Sequence, residues 1–234
     1  MSSFLELAQE VARDSGTVPG HQPVSVTGQS GRLAKIIAYT RDAWVHIQNH
    51  RPDWPWMRAG FTGTTLPGEA AYTAASWNIA DAAAWLLEPG GISVYAQELG
   101  PDDEGPLAVL PWSVWRQRYG CGPAAAGRPV AVAVRPGDGA LMLGPTPARA
   151  YVIRGQYRRT PQVLAADGDV PALPVRYHAL IRWRALMLLA EHDEAPYLAD
   201  TAAAHYHALL DALERGLTAD DAGAVPVLAM EMPA

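Results

Sequence analysis

Apolar positions recur along this chain with two different periods, and the change from one to the other divides it. Phe4, Leu7, Ala8 and Val11 follow a helical repeat. Ser3 and Glu6 ahead of them have the form of a capping box, in which a hydroxyl and a carboxylate satisfy free N–H groups at a helix start. Gly16 ends this helix, and residues 17–29 read as loop. Ser30 is placed to cap a longer helix whose inner face is Leu33, Ile36, Ile37, Thr40, Trp44 and Ile47, with Lys35, Asp42 and His46 outward. That helix ends before Pro52. Near the other end, Asp169–Glu194 contains Ala185 to Ala190, apolar on every side, which predicts a helix packed all round at the centre of a bundle. Pro171 and Pro174 precede it, at a first turn that tolerates a missing N–H. Ala195-Pro196 then turns the chain into a last helix over Tyr197–Leu217, with Leu198, Ala202, His205, Leu209 and Leu213 inward. These last two segments predict an antiparallel helical hairpin joined by very few residues.

Between the two helical ends the period shortens to two. Phe61–Thr65 and Ala70–Thr73 flank Leu66-Pro67-Gly68, a fixed φ followed by a residue free to take positive φ, which predicts a hairpin. Residues 76–88 are compatible with a short helical turn or with loop. Ile92–Gln97, Leu107–Leu110, Val130–Arg135, Ala140–Leu143 and Tyr151–Arg159 are short β-type runs bounded by proline and glycine. Pro136-Gly137-Asp138-Gly139 predicts a tight turn between two of them. In the last run Tyr151, Ile153, Gly155 and Tyr157 share one face, while Arg154, Gln156 and Arg158 share the other. Pro111–Tyr119 reads as a short helix that brings Trp112 and Trp115 together. The expectation is an α+β fold: a helical bundle from residues 1–56 and 170–217, an inserted antiparallel β-domain at 57–169, and a C-terminal tail at 218–234.

Composition sharpens this division, since most of the 20 prolines and 21 glycines fall between residues 52 and 174. A net charge of -6 disfavours sequence-blind affinity for nucleic acid. The single cysteine, Cys121, excludes an internal disulfide framework and a multi-cysteine zinc site. No apolar run approaches the ~20 residues of a membrane helix, and Glu6, Glu10 and Arg13 interrupt any signal-peptide pattern at the start.

Catalytic chemistry is not legible. His192-Asp193-Glu194 and His205-Tyr206-His207 are adjacent in sequence, but helical residues two apart diverge, and His207 with Asp211 pairs only on the outer face. No metal site is expected. Cys121 sits in a glycine-rich loop with no base beside it, and Gly28-Gln29-Ser30-Gly31 lacks the glycine-lysine signature of a phosphate loop. There is no nucleophile elbow and no carboxylate couple, so the chain reads as a non-enzyme without cofactors. Tryptophan is the remaining signal. Trp54 and Trp56, with Trp44, Trp77, Trp85, Trp112 and Trp115, suit a sugar-stacking platform or packing anchors at a subunit interface or domain junction, and irregular spacing favours packing. Arg116, Arg118, Arg158 and Arg159 suit phosphate contacts or intersubunit salt bridges, with the bridges preferred.

The order of several local motifs resembles the head-tail adaptor (connector) proteins of tailed bacteriophages, the family that includes the portal-closing tail accessory factor of short-tailed phages. The motifs are Gly28-Gln29-Ser30-Gly31 leading into Ala43-Trp44-Val45-His46-Ile47-Gln48, then Arg51-Pro52-Asp53-Trp54-Pro55-Trp56-Met57-Arg58. Leu110-Pro111-Trp112 with Trp115-Arg116, Gly127-Arg128-Pro129 and Gly155-Gln156-Tyr157-Arg158-Arg159 follow, then Leu173-Pro174-Val175-Arg176-Tyr177-His178 and Trp183-Arg184-Ala185-Leu186-Met187. The resemblance implies a structural virion protein, assembled in the host cytoplasm, whose copies form a ring, usually of twelve. Such a ring docks beneath the portal protein at the head-tail junction, extends the DNA channel without reading sequence, and receives the next tail or nozzle protein. In such adaptors the C-terminal tail reaches into the portal. Here that role falls on Val225, Val227, Leu228, Met230 and Met232, and the other reading of the same segment is a frayed terminus. A glycan-binding or cell-wall-degrading tail component using the tryptophan-rich β-domain is the rival, and a nozzle or completion protein is a third reading.

Overall fold

The computed structural model describes residues 2–16, 21–51, 53–122 and 126–223, with side chains described up to residue 217. Its α-helices are α1 (Phe4–Asp14), α2 (Gly31–His50), α3 (Trp112–Tyr119), α4 (Ala179–His192) and α5 (Pro196–Gly223). The strands are β1 (Arg58–Thr64), β2 (Ala71–Tyr72), β3 (Ala82–Leu86), β4 (Ser93–Ala96), β5 (Gly105–Pro106) and β6 (Ala108–Val109). They continue with β7 (Ala126–Gly127), β8 (Ala131–Val134), β9 (Leu141–Gly144), β10 (Thr146–Pro147) and β11 (Tyr151–Arg159). The fold is α+β, with helices from both ends flanking a β region. Contacts divide the chain into two units: residues up to His50 with those from Gln162 onward, and Arg51–Pro161.

In the helical unit, the Glu6 N–H donates to Ser3 Oγ at 3.2 Å and the Ser3 N–H to the Glu6 carboxylate at 2.8 Å, so the capping box forms as its residues require. Phe4, Leu7, Ala8 and Val11 are buried, as are Ile36, Ile37, Thr40, Ala43, Trp44 and Ile47 of α2. Both faces close on α4, which packs against α1, α2 and α5. Leu180, Ile181, Ala185, Leu186, Leu189 and Ala190 supply its buried surface. Coverage is incomplete, however. Met187 and Leu188 are only half-buried, which corrects the expectation of a helix enclosed on all sides. The helix also starts later than the prolines suggest. Pro174 heads a single 3-10 turn at Val175–Tyr177, and α4 begins after His178, whose buried ring bonds the Leu173 carbonyl through Nε2 at 2.9 Å. On α5 the buried positions are Ala202, Tyr206, Leu210 and Leu213. The predicted inner residues His205 and Leu209 are displaced by their neighbours, because the tyrosine ring removes more apolar area from water than imidazole does.

An amide clamp holds the chain where it returns to this unit. Gln48, 2% exposed, accepts the Gln162 N–H at 2.7 Å and donates to the Gln162 carbonyl at 2.9 Å, so its side chain acts as one rung of a β-ladder. Gln162 in turn accepts the Trp44 indole N–H at 3.1 Å and the Ala172 N–H at 3.0 Å. Farther along, Arg41 donates to the Leu164 carbonyl at 2.8 Å, and the Asp167 carboxylate takes the Val26 N–H at 2.6 Å. Asp169 accepts the N–H groups of Ala165 and Ala166, and these bonds hold its carboxyl below the usual range. The segment between the β region and the Val175–Tyr177 turn is thus irregular yet hydrogen-bonded to α2 and to the loop before it.

The second unit is two sheets sharing one core. The first runs β1-β11-β4-β5, with β3 beside β4 on the same edge of β11, and all of its ladders are antiparallel. The other runs β2-β9-β8-β6, where β6 and β8 form a short parallel ladder; β7 and β10 make another. Phe61, Ile92, Val94, Tyr151 and Ile153 from the first sheet meet Tyr72, Val132, Leu141 and Leu143 from the second. Two sheets fit the alternation on β11, whose Tyr151, Ile153 and Tyr157 are buried while Arg154 and Gln156 are exposed. The expected hairpin across Leu66-Pro67-Gly68 does not form. β1 pairs with β11 and β2 with β9, so the turn carries the chain from one sheet to the other. The reason is local: Thr65 is tied to Tyr151 by bonds of 2.8 and 2.9 Å, and the Leu66 N–H donates to the Tyr72 hydroxyl at 2.8 Å rather than to a facing strand. The Pro136–Gly139 turn does join β8 and β9 as an antiparallel pair, and residues 76–88 hold a 3-10 turn at Ala75–Trp77 followed by β3.

Two predictions follow from these bonds. Replacing Gln48 by alanine removes the partner of the half-buried Gln162 N–H and carbonyl, and urea unfolding read by circular dichroism is expected to lose about 1–2 kcal/mol. At the β8–β9 turn, Arg135 donates to both Asp138 carboxylate oxygens at 2.8 and 2.5 Å, lowering the carboxyl from its ordinary 3.8 to about 2. A carboxyl held low stabilises the fold above its ordinary pKa and loses that contribution as pH falls through the depressed one. Asp138→Asn is therefore expected to be less stable than the parent at pH 7, with the gap closing between about pH 4 and pH 2.

Candidate functional site

Each residue singled out in the sequence has a definite environment. Trp54 is fully buried and stacks on the half-buried Trp56, with ring centroids 4.7 Å apart and planes at 16°. The Arg51 guanidinium lies over Trp54 at 5.2 Å and is held by Asp53 through bonds of 3.0 and 2.8 Å. This Arg-Trp-Trp arrangement opens the β-unit just before β1.

On α3, Trp112 and Trp115 stack at 5.4 Å with planes at 10°. Trp115, 4% exposed, packs on Ala133, Ala140 and Met142, the outer face of the second sheet. The alternation on β8 and β9 explains this, because Val132, Leu141 and Leu143 point to the core between the sheets and leave Ala133 and Met142 to be covered from outside. Tyr119 closes the same layer, and an added methyl at Gly144 would come within 2.5 Å of its ring. Trp115 is thus a packing residue of its own unit. Arg116 beside it is exposed, and Arg116 and Arg118 meet no carboxylate among the described residues, although Arg118 lies over the Tyr119 ring at 5.5 Å. Arg158 stands half-buried on the outer face of the first sheet, in register with Arg58, while Arg159 pairs with Asp81 at 3.4 Å. Among the described residues, no ring contact or hydrogen bond joins the Trp112–Trp115 pair on α3 to Arg158 on β11. Val225, Val227, Leu228, Met230 and Met232 lie outside the described residues.

A sugar platform needs free aromatic faces, and most of these rings are occupied. Trp77 stacks on Phe61 at 5.4 Å and on Tyr72 at 5.1 Å, with Trp85 edge-on at 5.9 Å. Among the described residues, no group of three or more histidine, cysteine, aspartate or glutamate side chains could hold a metal, and no helix is long and apolar enough to cross a membrane. His192 belongs to an exposed polar network: Lys35 donates to its Nε2 at 2.6 Å, and its Nδ1 lies 3.1 Å from Asp193, which Arg32 also binds at 2.5 Å. Burial opposes the charge on Asp193, but Arg32 and His192 outweigh it and hold the carboxyl below its usual range.

One surface escaped the sequence reading. Between α4 and α5 lies an open groove of about 570 Å³ whose floor includes Met187, Ala190, Ala199 and Ala203. Its rim carries Glu191, Glu194 and Asp200, with Arg184. The available signal was Ala195, Ala199 and Ala203, small residues one helical turn apart that leave room beside α4.

A family model described as SU10 adaptor protein matches residues 2–228, nearly the whole chain, and the protein belongs to that family. Membership makes it a phage adaptor with a structural role. No individual curated protein is matched.

Core and surface positions on α3 should separate cleanly. Trp115→Ala is expected to cost about 3–5 kcal/mol in urea unfolding, whereas Arg116→Ala stays within about 0.5 kcal/mol of the parent.

Proposed function

Starting from membership of this phage adaptor family, we propose that the chain is a ring-forming head-tail adaptor that docks under the portal, extends the DNA channel and offers the platform for the next tail component. The observation that carries this reading is the family match over residues 2–228 together with a helical unit whose central helix is left partly open. Met187 and Leu188 of α4 remain half-buried, and the α4–α5 groove exposes an apolar floor on a single copy. Surfaces of this kind mark protein contacts. On this reading the helical unit forms the body that neighbouring copies pack against, the β-unit receives the tail component, and twelve copies surround the channel. A net charge of -6 suits a lumen through which DNA slides without being held. Assembly rather than catalysis is the activity.

The last residues, including Val225, Val227, Leu228, Met230 and Met232, are proposed to order on the portal. Their apolar character without helical period suits a segment that gains structure only against a partner. Electron microscopy of the protein mixed with portal rings tests the assignment: a collar of density beneath the portal is expected, and a protein that stays monomeric with portal present overturns it. Deleting residues 224–234 is expected to leave the unfolding midpoint of the helical unit unchanged while weakening portal binding at least about tenfold, a loss of about 1.4 kcal/mol. A deletion that unfolds the protein, or one that leaves portal binding intact, sinks the role given to this segment.

A further inference from the structure

A ring of more than two copies needs two different surfaces on each subunit, because a head-to-tail contact never meets itself. Two features of this chain match in shape and charge. The concave one is the α4–α5 groove, with Met187, Ala190, Ala199 and Ala203 in its floor. Glu191, Glu194 and Asp200 on its rim are exposed, and their side chains make no hydrogen bond or ion pair among the described residues. Arg184, the cation among the lining residues, is engaged at 3.0 Å with His46 Nδ1. The groove therefore presents an apolar floor under unneutralised negative charge.

The convex feature is α3. This helix has no acidic residue, and its inner side is occupied by Trp112, Trp115 and Tyr119 against the second sheet. Its outer side carries Val114, 44% exposed, and Arg118 one turn later, with Arg116 at the flank. Neither arginine has a carboxylate partner among the described residues. The other arginines on exposed β-surfaces are largely neutralised, Arg58 by Glu88 at 3.0 Å and Arg154 by Glu104 at 3.4 Å. Arg158 lies on a flat sheet face, which does not enter a groove.

Resting on the ring reading above, we propose that α3 of one copy seats in the α4–α5 groove of the next, with Val114 on the methionine and alanine floor and Arg118 and Arg116 on the acidic rim. Apolar contact supplies the affinity. Exposed ion pairs add little to it and chiefly select partner and register.

The test uses the full chain with Cys121→Ser and two added thiols, Val114→Cys and Ala199→Cys, assembled alone at high concentration or on portal rings. A short bis-maleimide is expected to join copies into a ladder on a denaturing gel, and neither single-thiol variant should give one. In parallel, Arg116→Glu with Arg118→Glu is expected to raise the half-assembly concentration at least about tenfold, and adding Glu191→Arg with Glu194→Arg to the same chain should restore it. Rings seen by electron microscopy without a ladder, or charge swaps without effect, overturn this contact and leave the ring reading standing. If no ring forms even with portal present, both fall.

Discussion

The burial of α4 is the constraint from which most of this architecture descends. A helix reading Ala185-Leu186-Met187-Leu188-Leu189-Ala190 is too apolar to be covered from one side, so it is approached from several directions, with only Met187 and Leu188 left half-buried. The chain meets this demand with elements from both ends, α1 and α2 from the start and α5 from the finish. Once α2 and α4 pack together, everything between them has to leave and re-enter at neighbouring points. The Gln48–Gln162 amide clamp is that closure, joining the end of α2 to the residue where the chain comes back. An inserted unit is the topological consequence of burying one helix with the other end of the sequence.

The β-unit meets a different demand. Its longest strand, β11, is shared by β1 on one edge and by β4 and β3 on the other, so a single nine-residue strand organises the first sheet. The second sheet is short and apolar on both faces, and only one face is covered by the first sheet. α3 covers the other through Trp112, Trp115 and Tyr119. Trp115 and Tyr119 take up the room left by small residues such as Ala133, Ala140 and Gly144. Stacked rings inside a unit are a packing device, and the phage adaptor role needs no sugar platform.

What remains uncovered points to assembly. The two units differ in character: the helical one holds the exposed acidic residues of the α4–α5 rim, while α3 in the β-unit offers arginines without partners. Acidic and basic features on separate elements of one chain suit contacts that repeat from copy to copy, because like surfaces repel and unlike ones select their orientation.

Elements with strong local rules were legible in the sequence. The Ser3–Glu6 capping box, the buried stripe on α2, the Pro136–Gly139 turn and the alternation on β11 all depend on interactions between residues a few positions apart, and each formed as read save that Leu33 at the start of α2 is only half-buried. Errors arose where distant residues decide. Leu66-Pro67-Gly68 has the composition of a hairpin turn, but Thr65 is claimed by Tyr151 and the Leu66 N–H by Tyr72, so the strands go to separate sheets. His205 fits a helical repeat, but the packing of Tyr206 turns the buried face by one residue. The assignment of Trp115 to the outer layer of a sheet and the pairing of Gln48 with Gln162 had no local signature, and the groove between α4 and α5 had only Ala195, Ala199 and Ala203. Periodicity, caps and turn residues follow from the chain's own covalent neighbourhood, and so the sequence determined them alone. Which apolar face meets which, and what is left bare, is settled only when separate elements compete for the same partners, and that competition exists only in the tertiary structure.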